Sequence, residues 1–371
     1  VSKKLCPTCQ KARIDGHSYQ CLACHRKEFP LKAQEPRQER TVEMDRTAHQ
    51  ERSELASLKT RYKDALKTIA RQETELDALG EMRAACTSDI VIAPKHKTGT
   101  SEATAIMVAS DWHLEEKVGK EVGGLNTYNL KIAEERAHQF FAHGLRLVKL
   151  LAQDVKIPTI ILPLLGDFIS NDIHDEFPEV NEETPIHAIV RVQGLLIAGI
   201  EFLLKNSDCT LVIPCHSGNH ARTTKTTRFT TENGHSLEYF MYVNLATYFK
   251  DEPRVTFHIP EGMHSYIKVY DQTVRFQHGH AIKYGGGVGG IYIPVNKAIA
   301  QWNKGRHADL DVFGHFHQMR DGGNFICNGS MIGYNAFALS IKADYEPPKQ
   351  ALFLLDKKRG RTCMWPILFT L

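Results

Sequence analysis

The chain has 371 residues, 46 Lys and Arg against 43 Asp and Glu, a formal net charge of +3 and 42% hydrophobic residues. That length allows more than one folded unit, and the hydrophobic share excludes a chain that stays disordered throughout. No run of 18 apolar residues occurs, so no membrane partner is expected, and a charge of +3 does not by itself demand a polyanionic one.

Residues 1–30 form the first expected unit, a small zinc ribbon. Cys6-Pro7-Thr8-Cys9 and Cys21-Leu22-Ala23-Cys24 are two Cys-x-x-Cys knuckles separated by eleven residues. Each knuckle puts two thiolates on a tight turn, and two turns complete a tetrahedron around zinc. So short a segment buries too little to fold unaided. A structural zinc on Cys6, Cys9, Cys21 and Cys24 would supply its folding energy. Two disulfides or a redox pair are the competing readings of the same cysteines. Lys3, Lys4, Lys11, Arg13, Arg26 and Lys27 make the unit basic. That suits nucleic acid, although such ribbons also bind protein.

Residues 31–85 are highly charged. Leu55, Leu58, Tyr62, Ala65, Ile69, Leu76 and Leu79 recur in steps of three and four, with polar Gln72 at one core position. This heptad predicts a helix stopping at Gly80. It would either pair as a parallel two-stranded coiled coil through residues 55–79 or lie solvated as a single helix. The paired reading makes the chain a homodimer. Residues 86–103, with Pro94 and a Thr/Gly/Ser run, read as a linker.

Residues 104–371 are enough for one core. The apolar run Ala105 to Ser110 leads into Asp111-Trp112-His113. A helix is predicted over 127–153. The run Thr159 to Leu165 then leads into Gly166-Asp167. A second helix is expected over 185–205, with Pro185 at its start, where a missing N–H does no harm. A strand through 211–214 precedes Gly218-Asn219-His220, and a helix is predicted over 234–249. Short strands follow at 254–259, 264–270, 274–277, 312–313, 324–327 and 351–355, interleaved with His278-Gly279 and Gly314-His315-Phe316-His317. Helices early and strands late predict an α/β fold with a β-rich second half. Most of the motifs sit at strand ends, where open sheets bind ligands. Carboxylate, imidazole and amide are donors that a divalent metal accepts.

The five motifs, in this order, resemble the calcineurin-like metallophosphoesterase superfamily over about residues 104–330. The resemblance implies a four-layer α/β/β/α sandwich with two divalent metals bridged by one carboxylate. On it, Asp111, His113, Asp167 and His317 would hold one metal. Asp167, Asn219, His278 and His315 would hold the other. Manganese is the expected metal, and iron or zinc suits the same donors. Asp167 would be the bridge, and His220 would face the scissile phosphate as stabiliser or general acid. Two cations about 3.5–4 Å apart offset the charge of a phosphodiester, activate a hydroxide for in-line attack and stabilise the leaving oxygen.

Residues 221–231 follow the third motif. In them Arg222, Lys225 and Arg228 are spaced by three, with hydroxyls between them and Phe229 nearby. The group suits phosphate contact and base stacking; an ordinary polar loop is the competing reading. Lys283, which opens a glycine-rich stretch over 283–290, is a further candidate substrate contact. That stretch lacks the Lys-Ser/Thr ending of a nucleotide-binding loop. His174, His216 and His280 lie beside the motifs. The expected function is DNA hydrolysis, with resemblance to the DNA-repair exonuclease branch and to phage-borne proteins. The alternative is a phosphomonoesterase or phosphoprotein phosphatase recruited to a protein partner by the N-terminal unit. A degenerate, non-catalytic scaffold is disfavoured because every implied ligand is present. Cys86, Cys209, Cys215, Cys327 and Cys363 are scattered, several in apolar runs, which suits buried thiols in a reducing cytoplasm.

Overall fold

The computed structural model describes residues 42–87, 89–95, 101–284 and 289–369, with the short pieces 4–5, 9–10 and 13–14. The chain divides into two compact units, Val1–Thr74 and Glu75–Leu371. In the first, β1 (Lys4–Leu5) and β2 (Arg13–Ile14) pair antiparallel. Of the expected zinc ligands, Cys6, Cys21 and Cys24 lie outside the described residues, and Cys9 lies among them. The helix α1 (Val42–Thr87) is 46 residues long. It runs through Gly80, against the expected stop. A glycine costs a helix only about 1 kcal/mol relative to alanine, and Glu81, Met82, Arg83, Ala84 and Ala85 beyond it all favour helix. Leu55, Leu58, Tyr62 and Ile69 are exposed along α1, between 49% and 67% each.

In chain order the second unit carries β3 (Ile90–Ile92), β4 (Glu102–Met107), α2 (Leu130–Leu151), β5 (Lys156–Ile161), α3 (Phe177–Val180), α4 (Pro185–Asn206), β6 (Thr210–Pro214), α5 (Leu237–Tyr248) and β7 (Val255–His258). It continues with β8 (Ser265–Val269), β9 (Gln272–Phe276), α6 (Tyr292–Trp302), β10 (Leu310–Phe313), β11 (Arg320–Asp321), β12 (Phe325–Cys327), α7 (Ala336–Ser340), β13 (Lys349–Asp356) and β14 (Gly360–Leu368). Two six-stranded sheets result, in the orders β14-β13-β4-β5-β6-β7 and β11-β12-β10-β9-β8-β3. Strands β4 to β7 run parallel, as do β9, β10 and β12.

The two-residue period of a strand sorts its side chains into layers. Along β4 and just beyond, Ala103, Ala105, Met107 and Ala109 pack against helices α2 and α4. Ile106 and Val108 point the other way, into a core shared with Ile267, Val274, Phe276 and Val312 of the second sheet. β13 divides in the same manner, Leu352 and Leu354 to one side, Ala351, Phe353 and Leu355 to the other. A third core joins Val295 and Ile299 of α6 to Phe313, Phe325 and Cys327. Three apolar cores separate four layers, so the fold is the α/β/β/α sandwich expected.

Some boundaries differ from expectation. Ile90–Ile92, in the stretch read as linker, is an edge strand paired parallel with β8. A run of three apolar residues is too short to signal a strand without its partner. Helix α6 was missed because Pro294 follows a glycine-rich run; the proline falls in the first turn, where it is tolerated. Strand β14 contains Pro366 and lies at a sheet edge, the place where a missing N–H breaks no ladder. Helix α4 is long and apolar enough, by length and composition alone, to cross a bilayer. Here Ala188, Val192, Leu196, Ile200 and Leu203 on it are buried in the core.

Between β9 and β10, Arg275 and Asp311 sit opposite each other. The Arg275 Nε donates to Oδ1 at 2.7 Å and Nη2 to Oδ2 at 2.9 Å, with both side chains buried. Arg275→Met would leave the carboxylate buried without its partner. A loss of about 3–5 kcal/mol in unfolding free energy is expected from urea titration. A variant within 1 kcal/mol of wild type would show that the pair is not structural.

Candidate metal centre

The motif loops leave the ends of β4 and β5 side by side. Backbone bonds tie them: Asp111 N–H to Gly166 O at 2.9 Å, His113 N–H to Asp167 O at 3.1 Å and Leu114 N–H to Phe168 O at 3.0 Å. Between the ligands, Trp112 is fully buried and packs edge-on against Phe168 at 4.8 Å. Five of the seven expected ligands have left-handed backbone: Asp111 (φ 55°), His113 (47°), Asp167 (53°), His315 (69°) and His317 (55°). Such conformations are costly for residues with a Cβ and concentrate at functional sites. Two glycines make the close approach of the loops possible. A Cβ on Gly166 (φ 85°) would lie 2.1 Å from Gly218 N, and a Cβ on Gly218 would lie 2.0 Å from Asp167 Oδ1.

The structure brings all seven expected ligands together. Donor atoms of Asp111, His113 and His317 lie within 4.8 Å of one another, as do those of Asp167, His278 and His315, and those of His113, Asp167 and His220. Asp167 therefore belongs to clusters on both sides. Its Oδ2 lies 3.0 Å from His278 Nε2, and Oδ1 accepts from His220 N–H at 2.8 Å. Asn219 Oδ1 completes the second group, 3.2 Å from His278 Nε2.

Hydrogen bonds decide which imidazole nitrogen is presented. Ser170 Oγ donates to Glu116 Oε2 at 2.8 Å, so it accepts from His113 Nδ1 at 2.9 Å. That leaves the Nε2 lone pair of His113 facing His317 Nε2 at 3.2 Å. His278 donates from Nδ1 to Leu165 O at 2.6 Å, which turns its Nε2 inward. His113 and His315 are held well below the usual imidazole range, chiefly by burial, so they are neutral, as metal ligands must be. Burial opposes charge on both Asp167 and His278. Even so, the neighbouring imidazoles, His278 first, keep the Asp167 carboxyl well below its normal range, and Asp167 pushes His278 to about 10. The pocket calls for positive charge beside Asp167. Asp111 with the His113 and His317 imidazoles, their Nε2 atoms 3.2 Å apart, on one side, and a carboxylate, an imidazole pair and an amide oxygen on the other, are donor sets that fit a divalent cation each.

The expected substrate contacts are placed differently. Arg222 spends its guanidinium on the loop itself: Nη1 donates to Asn219 O at 2.5 Å and Nε to Thr224 O at 3.1 Å. It positions the third motif, a role that its spacing with Lys225 and Arg228 did not suggest. Lys225 and Arg228 are exposed, with Arg228 Nη1 3.4 Å from His235 Nε2. Lys283 is exposed, and residues 285–288 beyond it lie outside the described residues. His216 is buried and bonds Ser265 Oγ at 2.8 Å, a structural contact. His174 lies against His220, ring centres 6.1 Å apart. Sequence reasoning missed Glu116, Ser170 and Glu238. Glu238 is fully buried and accepts from Phe168 N–H and Gly218 N–H, each at 2.7 Å. A glutamate on the apolar face of a helix was the one available signal.

No family model matches this chain, and no curated protein does. Solved structures similar to it include a single mutant of Vps29 from Entamoeba histolytica, at 11% identity over 72% of this chain and 99% of that one, with a TM-score of 0.31. A conserved uncharacterized protein and predicted phosphoesterase from Streptococcus pneumoniae TIGR4 shows 11% identity, the same coverages and a TM-score of 0.28. The calcineurin-like phosphoesterase YfkN from Bacillus subtilis shows 9% identity over 72% of this chain and 91% of that one, with a TM-score of 0.28. These are distant likenesses, too weak to carry a function across.

Proposed function

We propose that the chain is a two-metal phosphoesterase of the calcineurin-like superfamily and that it hydrolyses DNA phosphodiesters. The observation that carries the metal chemistry is the place of Asp167, one carboxylate belonging to ligand clusters on both sides. Divalent ions held there would offset phosphate charge and acidify water. The remaining work falls to the chain. Asp167 sets the spacing of the two clusters, and the buried Trp112 and Phe168 keep their backbones fixed. His220 has Nδ1 3.1 Å from Ser170 O, which takes its proton as a hydrogen bond. Its Nε2 is thereby directed into the centre, 4.0 Å from Asp167 Oδ2, where it can hold a proton for the leaving oxygen. The exposed Lys225 and Arg228, and the basic N-terminal residues, support a polyanionic substrate. Manganese is the expected metal, with a separate zinc on Cys6, Cys9, Cys21 and Cys24.

The test is cleavage of end-labelled single-stranded, duplex and gapped DNA by metal-stripped protein reloaded with manganese, beside a simple phosphomonoester. DNA should be cut, and chelator should stop it. Turnover of the monoester with DNA left intact would replace this reading with a phosphatase.

The exposed Leu55, Leu58, Tyr62 and Ile69 of α1 support a homodimer through residues 55–79. Light scattering should give twice the 41.9 kDa chain mass. A monomer at micromolar concentration would remove the dimer.

A further inference from the structure

A cleft of about 480 Å³ opens beside the metal centre, within the size range of small-molecule sites. His315 and His317, which the two clusters divide between them, both stand in its wall. Whatever fills the cleft therefore lies next to the candidate metal centre. Much of the rest is apolar or aromatic, with Phe316, Tyr334, Phe337 and Ile341 among the lining side chains. Phe337, on α7, is 64% exposed at the cleft, so a face of its ring is open to a bound group.

His280 is the second, independent observation. Its side chain is only 7% exposed and lines the same cleft. Neither ring nitrogen has a hydrogen-bond partner among the described residues. The Glu232 Oε1 lies 3.6 Å from Nε2, and Phe229 stacks on the ring at 5.6 Å. A neutral imidazole offers one donor and one acceptor, and leaving both unpaired in a buried place is costly. Both nitrogens are enclosed by protein, so a bound group with a hydrogen-bonding edge would pair one of them once the ring turns toward the cleft from under Phe229.

Charge narrows the choice of group. The cleft holds one lysine, Lys283, and two carboxylates, Asp344 and Glu346. Glu346 is engaged by Arg320 at 3.1 Å and Lys349 at 3.0 Å. Lys283 matches Asp344, so the lining offers a second phosphate no surplus of positive charge. A flat, neutral ring with polar edges needs none, and aromatic faces bind such rings by stacking.

We propose that this cleft is a base subsite that takes one unpaired nucleobase adjoining the scissile phosphate, stacked against Phe337 with its polar edge at His280. The inference rests on the nuclease reading above. It makes the enzyme selective for single-stranded or frayed DNA, because a base must leave its stack to enter.

The test is single-turnover cleavage of a single-stranded oligonucleotide carrying one abasic residue, moved position by position past the cut site. Wild type, Phe337→Ala and Phe337→Trp are compared. With wild type, base removal at one position beside the cut should lower kcat/KM about tenfold, a typical loss for one stacked base. Phe337→Ala should lose a similar factor on the intact strand. The two losses should overlap, not multiply, because both remove the same contact. Phe337→Trp keeps a stacking face and should retain the wild-type sensitivity. A flat abasic scan with DNA still cut would overturn the subsite and leave the nuclease reading standing, as would a Phe337→Ala loss equal on both strands. Failure of wild type to cut any DNA, with turnover of a phosphopeptide, would overturn both.

Discussion

Asp167→Asn should lower DNA cleavage by at least about a thousandfold, because removing a single preorganised charge-stabilising group already costs about 10²–10³ in kcat and this one serves both metal clusters. Asparagine keeps the size of the side chain and an oxygen for the His220 N–H, now at 2.8 Å. It removes the charge. His278, which Asp167 pushes to about 10 against the effect of burial, then has no counter-charge 3.0 Å away. Metal content should fall along with activity, while circular dichroism stays that of a folded α/β protein. Activity within tenfold of wild type, with both active-site metals retained, would remove Asp167 from the bridging role.

Glu238→Ala should have the next largest effect, although Glu238 touches no metal-ligating side chain. Its Oε1 and Oε2 accept from the N–H groups of Phe168 and Gly218, each at 2.7 Å. Those residues adjoin Asp167 and Asn219, so one side chain clamps the loops of two motifs. Burial, with the nearby Asp167 charge adding to it, pushes the Glu238 carboxyl up to about 8. This residue is retained in an environment that works against its ionised form. Alanine would leave two buried donors unsatisfied, at about 1–3 kcal/mol each. A fall of several degrees in Tm and a loss of roughly 10–100-fold in activity are expected, the range typical of partners that orient metal ligands. Calorimetry and the DNA assay on the same preparation would check both. A variant matching wild type in both measurements would show that the loops hold their geometry without the clamp.

The candidate ligands were legible because most of the motifs join an ordinary apolar run to residue types with no reason to be there. Asp111 directly follows a run that reads as a strand, Asp167 follows another after one glycine, and His315 and His317 follow β10. The groups that orient those ligands were not legible. His113 is steered by Ser170 and, through it, Glu116, and the clamp Glu238 comes from α5. None of these belongs to a motif, and a buried serine or glutamate resembles a surface one until its neighbours are known. Arg222 shows the opposite error. Its spacing with Lys225 and Arg228 suggested phosphate, yet its guanidinium is used by backbone carbonyls of its own loop.

The amino-acid sequence by itself determined most of the element order, though not β3, α6 or β14, and the identity of the candidate ligands, because hydrophobic periodicity and local motif chemistry act over a few residues. Only the tertiary structure decided three further things. It placed Asp167 between two clusters, it set which imidazole nitrogens face inward, and it opened the cleft lined by His280 and Phe337. Each of these depends on side chains from elements far apart in the chain meeting at distances near 3 Å or closing around one space. No local pattern encodes such distances, because the packing of two sheets and their helices sets them.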